Sequence, residues 1–215
     1  VTALEQQVAG LLRVGKRPIL LGGDNAVTLG GVMGALRQWP GLSVLQFGAH
    51  ANLREEAGGS RHDLSCMATR IAAECPLVQV GVRSLSEAEA GRADTGRVTT
   101  IMAGDIVDQD FPGQVVPLVT EALERRVWIS LDADVLDPAA FPAVARPEPG
   151  GLDFTQLCRL LRGVIEEKEV VGMDLVGTSP QREGDHSPYI AARLAYKFIC
   201  YSAQFLGLNP IKVGH

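Results

Sequence analysis

The stretch that decides the fold is Val127-Trp128-Ile129-Ser130-Leu131, a mostly apolar run followed directly by Asp132-Ala133-Asp134. Such runs are typical of strands buried on both faces, and these strands occur in parallel sheets covered by helices. In an open α/β sheet, the loops at the carboxyl ends of the strands form the ligand crevice. The stretch therefore predicts a parallel sheet that carries acidic side chains at its ligand-binding edge.

Apolar strands alternate with amphipathic helices along the rest of the chain. Thr2 and Glu5 have the spacing of a capping box, and Asp153 is a predicted helix cap. The alternation predicts a single domain over residues 1–215: a three-layer α/β fold, with a doubly wound parallel sheet and helices on both faces. The predicted strands cover residues 18–21, 42–47, 77–80, 98–102, 127–131 and 170–175, and the predicted helices cover about 3–14, 27–38, 64–74, 84–90, 111–125, 153–167 and 188–206.

Composition sets mild bounds on function. The 215 residues carry a formal net charge of −5 and no basic cluster, which argues against nucleic acid as a partner. The longest apolar runs are strand-sized and no signal-peptide pattern opens the chain, so we expect no membrane span and a cytoplasmic protein. The four cysteines are scattered without a CxxC pair, as reduced thiols would be. The chain begins with Val1, which favours a fragment or a processed product.

Polar residues follow three of the strand-like runs, in Gly22–Asn25, Gly48–Asn52 and Asp132–Asp134. His50, Asp132 and Asp134 together offer one imidazole and two carboxylates, a set that suits Mn²⁺, Zn²⁺ or Fe²⁺. Aspartates after a strand also cap turns and bind loop amides, with His50 as a hydrogen-bonded strand-end residue. From these residues alone, both interpretations stay open. The Pro- and Gly-rich segment 140–151 follows the two aspartates and is predicted to be an active-site loop.

The surrounding motifs resemble those of the ureohydrolase family, which includes arginase and agmatinase, and the agmatinase-like members most of all. The family motifs are GGDHS, DAHxDLR, GSxYSH, GxR, DxDxLDP, PxPGGL and DxxExxP. Their order and spacing are kept here in Gly22–Ala26, Gly48–Arg54, Gly59–Leu64, Val80–Arg83, Ser130–Pro138, Pro147–Leu152 and Met173–Pro180.

The resemblance implies an arginase-like fold that assembles as a trimer or hexamer, or as a hetero-oligomer with an active relative. It also implies a family reaction in which a hydroxide held between two Mn²⁺ ions attacks a guanidinium carbon and releases urea. Asp24, His62 and Asp174 are expected at the pocket. Family members are usually longer at the N-terminus, so a first strand and a loop are expected to be missing from this chain.

The departures from the family fall on the metal ligands. Asn25 stands where the family has a histidine ligand, and Gly48 and Asn52 stand where it has aspartates. Only His50, Asp132 and Asp134 remain, as at most a one-ion site. Two Mn²⁺ ions carry four positive charges, and two aspartates balance only half of them, so a dinuclear centre is disfavoured.

Further departures lie at positions that act on the substrate. Leu64 occupies the place of a histidine that takes part in proton transfer, with His62 two residues earlier, and Gly177 occupies the place of the glutamate that pairs with the guanidinium. Ala143 and Ala145 replace two glycines of the pocket loop, which removes backbone freedom there.

The replaced residues are those that bind metal or act on the substrate, whereas the residues that build the fold are kept. This pattern favours a pseudoenzyme that acts as a structural or regulatory subunit or as a ligand binder, with no cofactor. The alternative is a hydrolase of linear amidine or guanidino C–N bonds that uses one Mn²⁺ or Zn²⁺ at His50, Asp132 and Asp134. A metal-free hydrolase with Cys66 as its nucleophile has little support, because a cysteine on a helix usually packs in the core. A dinucleotide site is disfavoured because no GxGxxG turn follows the first strand.

Overall fold

The computed structural model describes residues 1–61, 63–106, 111–179 and 185–206, and these form one parallel sheet with helices on both faces. The strands lie side by side in the order β1-β6-β5-β2-β3-β4, and every neighbouring pair is parallel. Their bounds are β1 Ile19–Leu21, β2 Ser43–Phe47, β3 Leu77–Val82, β4 Val98–Met102, β5 Arg126–Asp132 and β6 Glu169–Val176. The predicted fold class is confirmed, with the run at 127–131 in a central strand.

The α-helices of the described ranges connect these strands. Their bounds are α1 Thr2–Arg13, α2 Ala26–Leu36, α3 Met67–Glu74, α4 Glu87–Ala90, α5 Val116–Glu121, α6 Phe154–Glu167 and α7 Ser187–Phe205. In the part of the chain that the structure describes, no helix combines the length and the apolar character that a bilayer crossing requires.

Three of the predicted helices begin or end elsewhere. A 3₁₀ turn at Leu64–Cys66 precedes α3, because Asp63 caps that turn by accepting a hydrogen bond from the Ser65 amide at 2.9 Å. The helix predicted for 84–90 begins only at Glu87, where Ser86 and Glu89 form a capping box. A π-helical turn at Phe111–Val115 precedes α5, which ends at Glu121.

Of the two predicted helix caps, only one is present. The Asp153 carboxylate accepts from the Gln156 amide at 2.7 Å, and the Gln156 side chain returns a bond to Asp153, as predicted. The predicted capping box at Thr2 is wrong because α1 already begins at Thr2. Glu5 instead accepts a charged hydrogen bond at 2.6 Å from Arg37, at the end of α2.

Side chains alternate between two apolar cores, one on each face of the sheet. Leu45, Phe47 and Ile129 pack with α5, α6 and α7. Val44 and Trp128, from the same two strands, point the opposite way and pack with α1, α2 and α3. This period of two explains why the central strands are apolar on both faces.

A buried polar row crosses the sheet on the Trp128 face. The strand register aligns Asp174, Ser130, Gln46, Gln79 and Thr100 on neighbouring strands. Ser130 Oγ donates to Asp174 Oδ1 at 2.9 Å, and Gln79 Nε2 donates to Gln46 Oε1 at 3.1 Å. Because the Ser130–Asp174 and Gln46–Gln79 hydrogen bonds join neighbouring strands, they favour this strand register over a shifted one.

Candidate functional site

The candidate site lies at the carboxyl ends of β2, β5 and β6, where the loops after the strands meet. Asp132 is the last residue of β5, and Asp134 lies in the 3₁₀ turn Ala133–Val135 that follows it. Asp132 Oδ1 accepts a hydrogen bond at 3.1 Å from the Asp134 amide, so the first aspartate caps the turn that carries the second. The structure therefore gives Asp132 the capping role that the sequence left open.

Asp134 and His50 form a buried pair. His50 Nδ1 lies 2.7 Å from Asp134 Oδ2, and Asp134 Oδ1 accepts from the Ala49 amide at 2.8 Å. The other ring nitrogen of His50 lies 3.7 Å from Glu148 Oε1, in the Pro- and Gly-rich loop. Both oxygens of Asp134 are thus engaged by the segment that follows β2.

Asp132 pairs with Asn25, the residue that stands in the place of the family's histidine. Asn25 Nδ2 donates to Asp132 Oδ2 at 3.0 Å, while Asn25 Oδ1 is buried and has no hydrogen-bond partner among the described residues. Burial and the nearby Asp134 carboxylate hold the pKa of Asp132 well above its ordinary value, and the hydrogen bonds from the Asp134 amide and Asn25 offset only part of that rise.

The two glycines at altered positions differ in the space around them. Gly177 has φ +80°, and a Cβ there would overlap Asp132 Oδ1. A Cβ at Gly48 would make ordinary contacts, 3.5 Å from Asp134 Oδ1 and 3.6 Å from Asp132 Cβ. Asp132 therefore occupies the room that a side chain at position 177 would need, while position 48 remains open.

A cavity of about 260 Å³ brings together most of the predicted site residues. Its wall contains Asp24, Asp132 and Asp134 together with four of the altered positions, Asn25, Leu64, Ala145 and Gly177. The lining residues are Gly23, Asp24, Asn25, Leu64, Asp132, Asp134, Val144, Ala145, Arg146, Gly177, Thr178 and Ser179. Leu64, Val144 and Ala145 form the apolar part of this wall.

His50 and Asn52 line a neighbouring cleft of about 730 Å³ instead, and Arg146 lines both spaces. Asn52 has φ +51°, a left-handed conformation that asparagine tolerates better than most residues. His62 lies outside the described residues. The three surviving family ligands thus lie close together but face two different spaces.

Asp174, which the sequence placed at the pocket, is fully buried and is not part of the cavity wall. Its carboxylate accepts hydrogen bonds from Trp128 Nε1 at 2.6 Å, Thr28 Oγ1 at 2.7 Å and Ser130 Oγ at 2.9 Å. Burial raises its pKa to about 6 despite these three donors. The strand period puts Asp174 on the Trp128 face of β6, whereas the sequence motif alone does not show which way it points.

Two arginines have roles that the sequence did not reveal. Arg83, at the end of β3, donates to the carbonyl oxygens of Glu148 at 2.7 Å, Asp134 at 2.9 Å and Pro149 at 3.0 Å, and so ties two loops together. Arg146 lies on the wall between the two spaces. The position of Arg146 inside the Pro- and Gly-rich loop is the sequence feature that could have marked it as a pocket residue.

The residues present do not fit the family's metal pair. Within residues 1–61, 63–106, 111–179 and 185–206, no group of three or more His, Cys, Asp or Glu side chains is placed to hold a metal ion. Each oxygen of Asp132 and Asp134 already contacts a protein nitrogen. What the arrangement offers chemically is a polar, acidic pocket with one unpaired amide oxygen.

Comparison with known proteins gives the family. The model of the arginase family matches residues 1–201. The chain is 40% identical to an N(1)-aminopropylagmatine ureohydrolase of Thermus thermophilus, over 94% of this chain and 66% of that relative, and 32% identical to the agmatinase of Pyrococcus horikoshii, over 87% of this chain and 63% of that relative. The chain thus spans about two thirds of the length of these curated relatives.

Solved structures agree with that result. The agmatine ureohydrolase of Thermoplasma volcanium superposes with a TM-score of 0.86 at 28% identity, over 97% of this chain and 70% of that one. Arginase from Bacillus subtilis, at 20% identity and a TM-score of 0.81 over 92% of this chain and 76% of that one, shares the fold. Because the family model matches residues 1–201 of this chain, the chain belongs to the arginase family.

Proposed function

We propose that this chain is a catalytically silent member of the arginase family that keeps the fold and the cleft for binding or for assembly. The observation that carries the proposal is the Asn25–Asp132 hydrogen bond of 3.0 Å, which puts an amide donor where the family has an imidazole ligand. An amide N–H directed at a carboxylate satisfies that oxygen without a cation.

Charge balance supports the same conclusion. Of the family's four aspartate ligands, Gly48 and Asn52 replace two. Two dications a few ångströms apart repel strongly in a low-dielectric site, and the remaining Asp132 and Asp134 do not supply enough negative charge to offset that repulsion. The glutamate that would pair with a guanidinium is also replaced, by Gly177.

One observation favours a second candidate, a hydrolase of linear amidine or guanidino C–N bonds with a single Mn²⁺ or Zn²⁺. His50 Nδ1 and Asp134 Oδ2 lie 2.7 Å apart, close enough for both to contact one ion. In this candidate Asp132 would have to turn from Asn25 to supply a third ligand.

Metal analysis of purified protein together with a urea-release assay tests both candidates. The assay uses agmatine, arginine, guanidinobutyrate and N(1)-aminopropylagmatine, the compound named for the Thermus relative. We expect well under one equivalent of metal after incubation with Mn²⁺, and no urea above the buffer level. Two equivalents of metal with urea release would overturn the proposal. One equivalent with turnover, both lost in His50→Ala, would establish the second candidate.

Assembly is part of the proposal. We expect a homotrimer or homohexamer, or a hetero-oligomer with an active relative, in a cytoplasmic setting. Light scattering of the purified chain, alone and mixed with an active relative from the same organism, measures the mass. A monomer in both samples would argue for ligand binding alone.

A further inference from the structure

Helix α7 presents apolar side chains to solvent as well as to the core. Leu194 and Phe198 pack inward with α6. The opposite side, called here the outer face of α7, consists of four exposed residues: Tyr189, Ala192, Tyr196 and Ile199. The two tyrosines and the isoleucine are each more than half exposed. Single exposed apolar residues are ordinary, but several large ones on one side of a helix indicate an interaction surface.

The spacing of the outer face is that of a helix that packs against a second helix. Positions 189, 192, 196 and 199 follow one another at intervals of three, four and three, which is the a and d pattern of a heptad repeat. This pattern directs one side chain per turn at a facing helix. The outer face therefore fits a helix better than an extended peptide.

The charges beside the outer face determine which helix it fits. Within Ser187–Phe205, α7 contains Arg193 and Lys197 and no Asp or Glu. Arg193 lies 5.4 Å from the centre of the Tyr196 ring, and Lys197 lies 5.7 Å from that of Tyr201. Neither cation forms an ion pair with a carboxylate of the described residues. A facing helix with carboxylates beside its apolar positions would pair with both.

A second copy of α7 does not supply those carboxylates. In a two-fold pair the same face meets the same face, so neither helix brings an acidic residue, and an antiparallel pair places the cations on one side together. Residues 207–215, which follow α7 in the chain, contain no Asp or Glu either. Charge complementarity therefore favours a different, acidic helix.

A cavity of about 220 Å³ between α6 and α7 lies next to the cations. Its lining residues are Arg162, Glu166, Tyr201, Gln204 and Phe205. Tyr201 is also the residue whose ring lies below Lys197. The volume equals that of about seven water molecules, so the cavity has room for one large side chain. Side chains that enter such cavities commonly anchor a binding partner.

We propose that α7 binds an amphipathic α-helix of a partner protein. The apolar side of that helix packs on the outer face, its Asp or Glu residues pair with Arg193 and Lys197, and one large side chain enters the cavity between α6 and α7. The inference goes beyond the proposed function: in the described ranges no residue of α7 lines the pocket beside Asp132, so this binding does not depend on metal.

Two labelled helical peptides of about three heptads test the inference by fluorescence anisotropy at low salt. Both carry leucine and isoleucine at the a and d positions and a staple on the side away from them. One has glutamate at the flanking positions, where the other has lysine. We expect the glutamate peptide to bind the unaltered chain about tenfold more tightly than the lysine peptide, and this preference should shrink as salt is added.

Ile199→Gln removes one apolar contact, so we expect it to weaken binding of the glutamate peptide by about fivefold. Leu11→Gln is the matched control, because Leu11 is 43% exposed against 51% for Ile199 and lies on α1, at the other face of the sheet. Replacing Arg193 and Lys197 together by Gln should remove the preference for glutamate. The same change at Arg13 and Lys16, both exposed, should leave it unchanged.

No binding of either peptide, equal binding of the two, or unchanged affinity in folded Ile199→Gln would overturn the inference. So would a homo-oligomer of the unaltered chain that Ile199→Gln dissociates in light scattering, since a second copy would then cover the outer face. The peptide comparison uses the unaltered chain, so it stands even if a variant does not fold. Failure here leaves the proposed function intact, because metal content and urea release are measured separately.

Discussion

Asn25 donates one amide hydrogen to Asp132, and its own side-chain oxygen has no partner among the described residues. Asp132 reaches toward Asn25 with one oxygen, and its other oxygen lies where a Cβ at Gly177 would be. The replacements at positions 25 and 177 are therefore linked through a third residue that did not change. Single substitutions at this point test whether that linkage holds.

Alanine at the two glycines should have opposite effects on stability. Gly177→Ala puts a Cβ onto Asp132 Oδ1 at a positive φ, so we expect a loss of about 1–3 kcal/mol in the free energy of unfolding. Gly48→Ala meets only ordinary contacts and restricts the unfolded chain, so we expect a change between zero and a gain of about 1 kcal/mol. Urea denaturation measures both, and equal losses would contradict this account.

Asp174 should make the stability depend on pH. Its pKa rises from the ordinary 3.8 to about 6 on folding, so the folded chain holds the proton more tightly than the unfolded chain. The carboxyl thus contributes stability that is fully present below about pH 4 and is lost as the pH rises through about 6.

Asp174→Asn removes this titration. We expect the free energy of unfolding of the variant, relative to that of the unaltered chain, to rise by on the order of 2–3 kcal/mol from pH 4 to pH 7. Denaturant unfolding at each pH measures it. Asp105→Asn, at an exposed turn, is the control and should show no such trend. If the difference in free energy of unfolding between Asp174→Asn and the unaltered chain stayed constant from pH 4 to pH 7, titration of Asp174 would be ruled out as its cause.

Among the structural elements, the loop from 140 to 151 depends on Arg83 for its position. The guanidinium binds carbonyl oxygens of both this loop and the turn after β5, and burial lowers its pKa. Arg83→Met keeps the side-chain length and removes every donor. We expect a loss of about 2–4 kcal/mol and faster hydrogen exchange in the loop. Arg125→Met, whose side chain is 84% exposed, is the matched control and should change stability by less than about 1 kcal/mol.

Most elements could be predicted from the sequence because their signals are local. The apolar runs at 42–47 and 127–131 and the Asp153 cap depend on near neighbours in the chain, and all three are present. The Thr2 capping box was wrong because α1 begins one residue earlier than its spacing indicates, and the Glu5 carboxylate accepts from Arg37, which is distant in sequence. The turns before α3 and α5 were missed for a different reason: apolar periodicity does not distinguish 3₁₀ or π geometry from an α-helix over a few residues.

At the scale of the whole molecule, the fold class follows from the alternation of strands and helices, but the strand order and the direction of each rim side chain do not. The sequence located Asp132, Asp134 and Asn25 at one pocket, and the structure brings all three to one cavity. It could not show that His50 faces a second space or that Asp174 points into the core, since both depend on which strands become neighbours.

Restoring the family ligands tests whether the loss of metal chemistry lies in those positions alone. A chain with Asn25→His, Gly48→Asp and Asn52→Asp gains two carboxylates and an imidazole, so we expect Mn²⁺ affinity at least a hundredfold above that of the unaltered chain by titration calorimetry. We expect no urea release, because Leu64 and Gly177 are unchanged. A triple variant without metal affinity would indicate that the scaffold itself has closed around the site.

The close approach of Asp132 Oδ1 to Gly177 also bears on whether the replaced family residues could return by mutation. A mutation that returns a side chain at position 177 as the first step meets the Asp132 oxygen, and that intermediate is selected against for its stability alone. Replacing Asn25 first removes the hydrogen bond that directs one Asp132 oxygen, so we expect the order of mutations to matter. Such epistasis would act as a ratchet: we expect the glycine at position 177 to persist even where a working enzyme would again be an advantage.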